Sequence, residues 1–288
     1  MKRLKTHYAI VYAIEGALLP IFPVYLARRQ GLDASQIGLV IAVGGTATLL
    51  TPLVATALAD SRIDQRRMMV GMLAVAAGWL LLLQPLTGFW FALCLYTAFR
   101  LAFEPVKALQ DGYFFVWQRR QVELGTAPGG FHEVRVWGTA GYILPSILLF
   151  SYITVGGTIA ATLAIAAGFC VIGAVTGWYL ENIGLRARGV EARPRPLGSR
   201  EAARLAIRRL AGPGMRTFLL AAVLLSITFA AYGAFYPLYL TDVVGVDERW
   251  IGLVSAVGVV IEIAYMLAFG RLHRRFGLRA VLLFGAGA

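Results

Sequence analysis

Arg100, Glu104, Lys107 and Asp111 follow one another at spacings of four, three and four. On an α-helix this places all four on one narrow stripe. Their neighbours, FRLAFEPVKALQDGYFF, are apolar, and an ionised group among apolar surroundings needs a partner or water. The signs alternate along the stripe, so Glu104 can pair with either base. Two readings stay open. The stripe is a self-neutralised ladder that holds its helix in place, or it lines a path in which Arg100 and Lys107 contact a substrate while Glu104 and Asp111 carry protons. Pro105 removes a backbone donor beside these charges and predicts a kink there. Glu15 and Glu262 also lie in apolar runs, with no basic residue three or four positions away. A lone carboxylate that holds a proton in one conformation and releases it in another is what proton coupling requires, and a hydrogen-bonded structural acid is the alternative. Arg135 offers a guanidinium fork suited to a carboxylate or a pair of hydroxyls, or it snorkels at a helix end. Tyr12 shares the face of Glu15 with Tyr8, and Tyr236 sits with Tyr232 and Tyr239. Such tyrosines are ligand walls, packing or an interfacial belt.

The elements that must position these residues are set by composition. The 288 residues are 59% apolar and only 15% charged, with a mean hydropathy of +0.71, which excludes an ordinary soluble domain. Several apolar runs of about 18 to 25 residues are each long enough to cross about 30 Å of hydrocarbon as helices. Open strands would leave backbone groups unpaired in lipid. An all-α membrane protein follows, with the bilayer as its surroundings. The net charge of +12 falls between the apolar runs rather than in one aromatic-interleaved patch, so no nucleic-acid partner is expected. Cys94 and Cys170 both lie within apolar runs, which predicts reduced thiols and no metal site. His132-Glu133 begins like a zinc-protease signature, but Val136 stands where the second His belongs. No nucleophile elbow or phosphate loop is present, so no catalytic residue, enzyme activity or cofactor is expected.

The predicted spans are 7–26, 36–59, 68–86, 89–117, 134–155, 157–180, 217–240 and 250–270, with a ninth beginning near Arg279. Lys and Arg alternate between connections: Lys2, Arg3 and Lys5; Arg62, Arg66 and Arg67; Arg119 and Arg120; many in 181–216; and Arg271, Arg274 and Arg275. The opposite side has Arg28, Arg29 and Arg249. The positive-inside rule then puts the N-terminus in the cytoplasm. The first span is preceded by a basic start but lacks a small-residue cleavage site, so it reads as retained. The basic stretch 181–216, with Pro194, Pro196 and Pro213, reads as a cytoplasmic loop between a first bundle, 1–180, and a second, 217–288. Within it, Ser199 is placed to cap a short surface helix carrying Arg200, Arg204, Leu205 and Arg208.

The halves repeat. PVYLARRQGLDASQIGLVIAVG from Pro23 matches PLYLTDVVGVDERWIGLVSAVG from Pro237 at one constant offset, including Gly31 with Gly245 and Asp33 with Asp247. Such parallel repeats are the organisation of many transporters. At the same offset each half has a basic turn, TALADSRIDQRR and GRLHRRFGLR. These turns resemble the signature loop of the major facilitator superfamily. The first copy has Thr56 for the family's Gly, and the second keeps Gly270 and Gly277 with Arg274 where the acid would stand. GALLPIFPVYL, FEPVKALQDGYFFVWQ, VRVWGTAGY, AAYGAFYPLY and GVVIEI resemble the subgroup of lactose permease, nucleoside symporters and phenylpropionate permeases. The last is nearest through Pro105, Leu109 and Asp111 and through Arg135, Trp137 and Gly138.

The resemblance implies a fold of two six-helix bundles, twelve spans in all, so this chain would stop inside the ninth. It implies a gating role for Asp60, Arg66, Arg67, Gly270, Arg274 and Arg275, a substrate contact at Arg135 and an acid at Glu262. The function it implies is proton-coupled symport of a small organic solute by a monomer in a bacterial inner membrane. Arg100, Lys107 and Arg135 favour an aromatic or other organic acid. A sugar or nucleoside symporter, drug efflux, and a non-transporting scaffold or sensor are the alternatives.

Overall fold

The computed structural model describes residues 1–61, 64–127, 129–183 and 212–287. Among these residues the chain forms helices α1 (Lys2–Leu18), α2 (Phe22–Arg28), α3 (Ala34–Ser61), α4 (Gln65–Leu83), α5 (Phe89–Glu123), α6 (Phe131–Thr154), α7 (Ala161–Trp178), α8 (Pro213–Asp242) and α9 (Glu248–Gly287). Seven segments among the described residues are long and apolar enough to cross a membrane, α1 with α2 counting as one. The Ala34–Thr48 part of α3 is also apolar, and α3 as a whole has 28 residues. The protein is therefore a multi-pass membrane protein. The short helix expected after Ser199 lies outside the described residues, as do residues 184–211 of the 181–216 stretch.

The first span is not one continuous helix, contrary to the sequence expectation. Its ladder is interrupted between α1 and α2, where Pro20 and Pro23 lack the N–H groups that would bond to Gly16 and Leu19. The Ile21 amide turns instead to Leu18 O at 3.1 Å. The remaining spans fall close to their predicted positions. The last helix breaks at Gly277, whose φ of 77° only glycine adopts readily, and helix resumes beyond it.

The repeat has a local physical basis. Gly31 (φ 68°) and Gly245 (φ 79°) end α2 and α8 in the left-handed region. At equivalent positions the Leu32 amide donates to Leu26 O at 3.1 Å and the Val246 amide to Leu240 O at 2.8 Å. Asp33 Oδ1 then accepts from the Gln36 amide at 2.9 Å, and Asp247 Oδ1 from the Arg249 amide at 3.0 Å, starting α3 and α9. Each copy thus encodes the same helix stop, tight turn and helix start.

Successive spans alternate in direction. Residues 1, 61, 123, 131 and 178 lie toward one end, called here the N-terminal face, and residues 28, 34, 83, 89, 154, 242 and 248 toward the far face. α1 packs on α6 and α7, α3 on α5, and α4 on α5 and α7. The second half joins through α9 against α6 and α8 against α2 and α3. Where α1 crosses α6, two glycines remove the side chains that would hold the backbones apart. A Cβ on Gly16 would lie 2.0 Å from Tyr142 O, and one on Gly141 would lie 2.0 Å from Ala9 O. Helix association in lipid depends on such close packing of small residues.

Candidate functional site

α1 packs chiefly on α6 and α7, and α5 on α3 and α4, so long polar side chains bridge α1 and α5. Lys107 of α5 reaches Glu15 of α1 at 2.5 Å and Glu104 of its own helix at 3.2 Å. Glu104, only 3% exposed, also pairs with Arg100. Arg100 extends toward α3, where its Nη2 donates to Thr48 Oγ1 at 3.4 Å. One turn nearer the N-terminal face, the Tyr8 hydroxyl donates to Asp111 Oδ1 at 2.7 Å. The stripe is thus a ladder, and it continues onto α1. Glu15 is not the lone carboxylate that its own helix suggests, because its counter-charge comes from 92 residues away.

Arg135 enters from α6. Its guanidinium carbon lies 4.1 Å from the centroid of the Tyr12 ring, a cation–π distance, and Nη1 donates to Thr139 Oγ1 at 3.5 Å. Tyr12 in turn stacks nearly parallel to Tyr8, at 6.5 Å and 6°. Gly138 makes room for this arrangement, since a Cβ there would lie 2.8 Å from Tyr12 Cδ2. Among the described residues Arg135 forms no salt bridge. Arg135 therefore has a stacking partner and, among the described residues, no carboxylate at contact distance, while Arg100 contacts Glu104 and Lys107 contacts both Glu104 and Glu15.

The second half contributes less direct contacts. Glu262 stands exposed on α9 with no ion-pair partner among the described residues. Tyr142 of α6 lies within electrostatic range of Glu15, Glu262 and Tyr232, so it is the side chain through which the two acids share a neighbourhood. Tyr236 stacks on Tyr232 at 4.4 Å on α8. Thr139, 4% exposed, touches Met266 Sδ at 3.7 Å across the two halves. Tyr142 and Thr139 were missed in the sequence. Both stand in VRVWGTAGY, Thr139 one turn and Tyr142 two turns beyond Arg135, and were not singled out there.

The residues assigned to gating separate. Arg66 donates to Trp178 O and Leu180 O, both at 3.1 Å, and covers the Trp178 ring at 5.4 Å. It ties the start of α4 to the end of α7. The acid beside it is Asp64, at 4.0 Å, whose carboxylate also accepts from the Arg67 amide at 3.2 Å and caps α4. Asp60 lies in the last turn of α3, and its side chain is outside what the structure describes. Arg67, Arg274 and Arg275 are exposed, and Gly270 has open space around it. Among the described residues no group of His, Cys, Asp and Glu is placed to hold a metal ion.

An ion ladder inside a two-part helical membrane protein, with repeated halves meeting around it, is the plan of a secondary transporter. The sequence pattern of the MFS_1 like family matches residues 1–288. The chain belongs to the MFS_1-like family. Its fold is the major facilitator fold. The chain is similar to the solved nucleoside transporter NupG, with a TM-score of 0.75 and 17% identity over 96% of this chain and 68% of NupG. A mutant form of NupG gives a TM-score of 0.78 at 16% identity over the same shares. At these identities the likeness is one of fold. No curated protein sequence matches the chain. As members of a transporter superfamily, MFS_1-like proteins handle small molecules within the membrane.

Proposed function

We propose that this MFS_1-like protein is a proton-coupled symporter of a small organic acid, an aromatic acid being favoured, that works by rocking its two bundles about the central ladder. The observation that supports this reading is Arg135, a cation held against Tyr12 without a carboxylate partner. A guanidinium presented in this way suits a substrate carboxylate, and the neighbouring aromatic rings suit a ring. Charge balance supports coupling. Arg100, Lys107 and Arg135 are matched in number by Glu15, Glu104 and Asp111. An anionic substrate entering alone would upset this balance in a low-dielectric site, whereas entry with one proton on a carboxylate would preserve it. Glu262, Glu15 and Asp111 are the candidate carriers. In this reading the N-terminal face is cytoplasmic in a bacterial inner membrane, 181–216 joins the bundles there, and one chain transports as a monomer. Nucleoside symport is the second reading. The stacked Tyr232 and Tyr236 would suit a base, but a neutral nucleoside would bring no carboxylate to Arg135.

The test is uptake of labelled 3-phenylpropionate and benzoate into proteoliposomes holding the intact protein, with and without an imposed pH gradient, with uridine and lactose as competitors. Accumulation of a carboxylate that needs the gradient supports the reading. Gradient-driven accumulation of uridine with no carboxylate uptake would replace it with the nucleoside reading.

A further inference from the structure

At the far face the two halves meet through charges that the central ladder does not use. Arg28, at the end of α2, reaches Asp242 at the end of α8 at 2.6 Å and Glu248 at the start of α9 at 3.4 Å. One guanidinium thus holds both ends of the turn that joins α8 to α9. Arg28 and Asp242 are 214 residues apart, the same offset that relates Pro23 to Pro237. They are therefore equivalent positions of the repeat, meeting where the symmetry relating the two bundles brings each position to face its counterpart. Identical charges there would repel. Divergence of the copies to Arg and Asp turns the self-facing position into a bond.

The same face is sealed by further contacts between halves. Phe150 of α6 packs on Trp250 of α9 with centroids 4.8 Å apart. A Cβ on Gly252 would lie 3.1 Å from Ser146 Cβ, and one on Gly38 would lie 3.3 Å from the Phe235 ring. Gly38 and Gly252 are again separated by the repeat offset, so each half uses its own copy of the same glycine to approach the other. These contacts join the two halves at the far face.

We propose that Arg28, Asp242 and Glu248 form a latch that holds the far face shut and must open before that face can admit or release substrate. Its exposure fits that duty. The side chains of Arg28 and Asp242 are 50% and 46% exposed, so water replaces the bond at little cost and the latch biases the closed state without freezing it. A buried pair would be too hard to break on each cycle.

The latch is testable by spin-label distances in lipid nanodiscs. Labels are carried by Thr158→Cys, in the α6–α7 connection, and Val244→Cys, in the α8–α9 connection, with Cys94 and Cys170 replaced. Arg28→Gln should raise the longer-distance population relative to the shorter by about two- to five-fold, the range of an exposed ion pair. Arg28→Asp, which places three acids together, should raise it further. Exchange of the charges, Arg28→Asp with Asp242→Arg, should return the distribution toward that of the parent, because the exchanged arginine also faces Glu248. An unchanged distribution in Arg28→Asp, or no recovery in the exchanged pair, overturns the latch. If Arg28→Asp does not fold, an unchanged distribution in Arg28→Gln overturns it instead.

Discussion

Lys107 stands between Glu15 at 2.5 Å and Glu104 at 3.2 Å, so it neutralises two acids that belong to different helices. Removing it strands Glu15, because Glu104 keeps its pair with Arg100. In surroundings of low dielectric a stranded charge is worse than a missing pair, by about 3 kcal/mol or more. Lys107→Met should therefore lower the melting temperature in detergent, and adding Glu15→Gln to it should restore part of the loss. A thermal double-mutant cycle measures this, and simple additivity would show that the pair is not coupled. Glu262 makes the opposite case, an acid with no basic partner among the described residues. If it carries the coupling proton, Glu262→Gln keeps size and hydrogen bonding while removing the titratable group. Uphill uptake driven by a pH gradient should then fall to background, while exchange of labelled for unlabelled substrate survives. Exchange needs only the loaded carrier to reorient, whereas net uptake also requires the carrier to shed its proton and return empty. Full uphill uptake by the variant would reduce Glu262 to a structural residue and pass the role to Glu15 or Asp111.

Helix period made the α5 stripe visible in the sequence, because spacings of four, three and four fix a face whatever the fold. Period says nothing about which helix that face meets. The Lys107–Glu15 and Asp111–Tyr8 contacts depend on α1 and α5 running antiparallel across the core, and the arginine on Tyr12 depends on the crossing of α1 with α6. That crossing rests on Gly16 and Gly141, which read in sequence as two glycines among many. The break between α1 and α2 was likewise carried by Pro20 and Pro23, but apolar residues on both sides hid it within one long run. The crossing gives a sharp expectation. Gly141→Leu would drive a side chain into Ala9 O, where even a Cβ would lie at 2.0 Å, and backbone cannot give way as a flexible side chain can. Fluorescence-detected gel filtration should show loss of the monodisperse protein. Gly45→Ala, at a site with nothing within 4 Å, should leave the profile unchanged.

At the scale of the whole molecule the repeat and the alternation of basic connections were both open to reading before any helix was placed. The structure brings residue 1, the end of α7 and the start of α8 to the same face, as an even number of crossings requires. It does not say which compartment that face meets, since helix packing is the same in either orientation. Charge must decide. The connections on the N-terminal face carry Lys2, Arg3, Lys5, Arg66, Arg67, Arg119, Arg120, Arg271, Arg274 and Arg275, besides the arginines of 181–216, against Arg28, Arg29 and Arg249 on the far face. Lys and Arg in short connections resist translocation, so the richer face is expected in the cytoplasm. With Cys94 and Cys170 replaced, a cysteine at Ser199 should react with a membrane-impermeant maleimide only after cells are opened. One at Thr158, in the far-face connection between α6 and α7, should react in intact cells. The reverse pattern would invert the topology and with it the compartment on which the Arg28 latch acts. Labelling of both sites in intact cells would place the two connections on one side, which the alternation of α6 and α7 forbids.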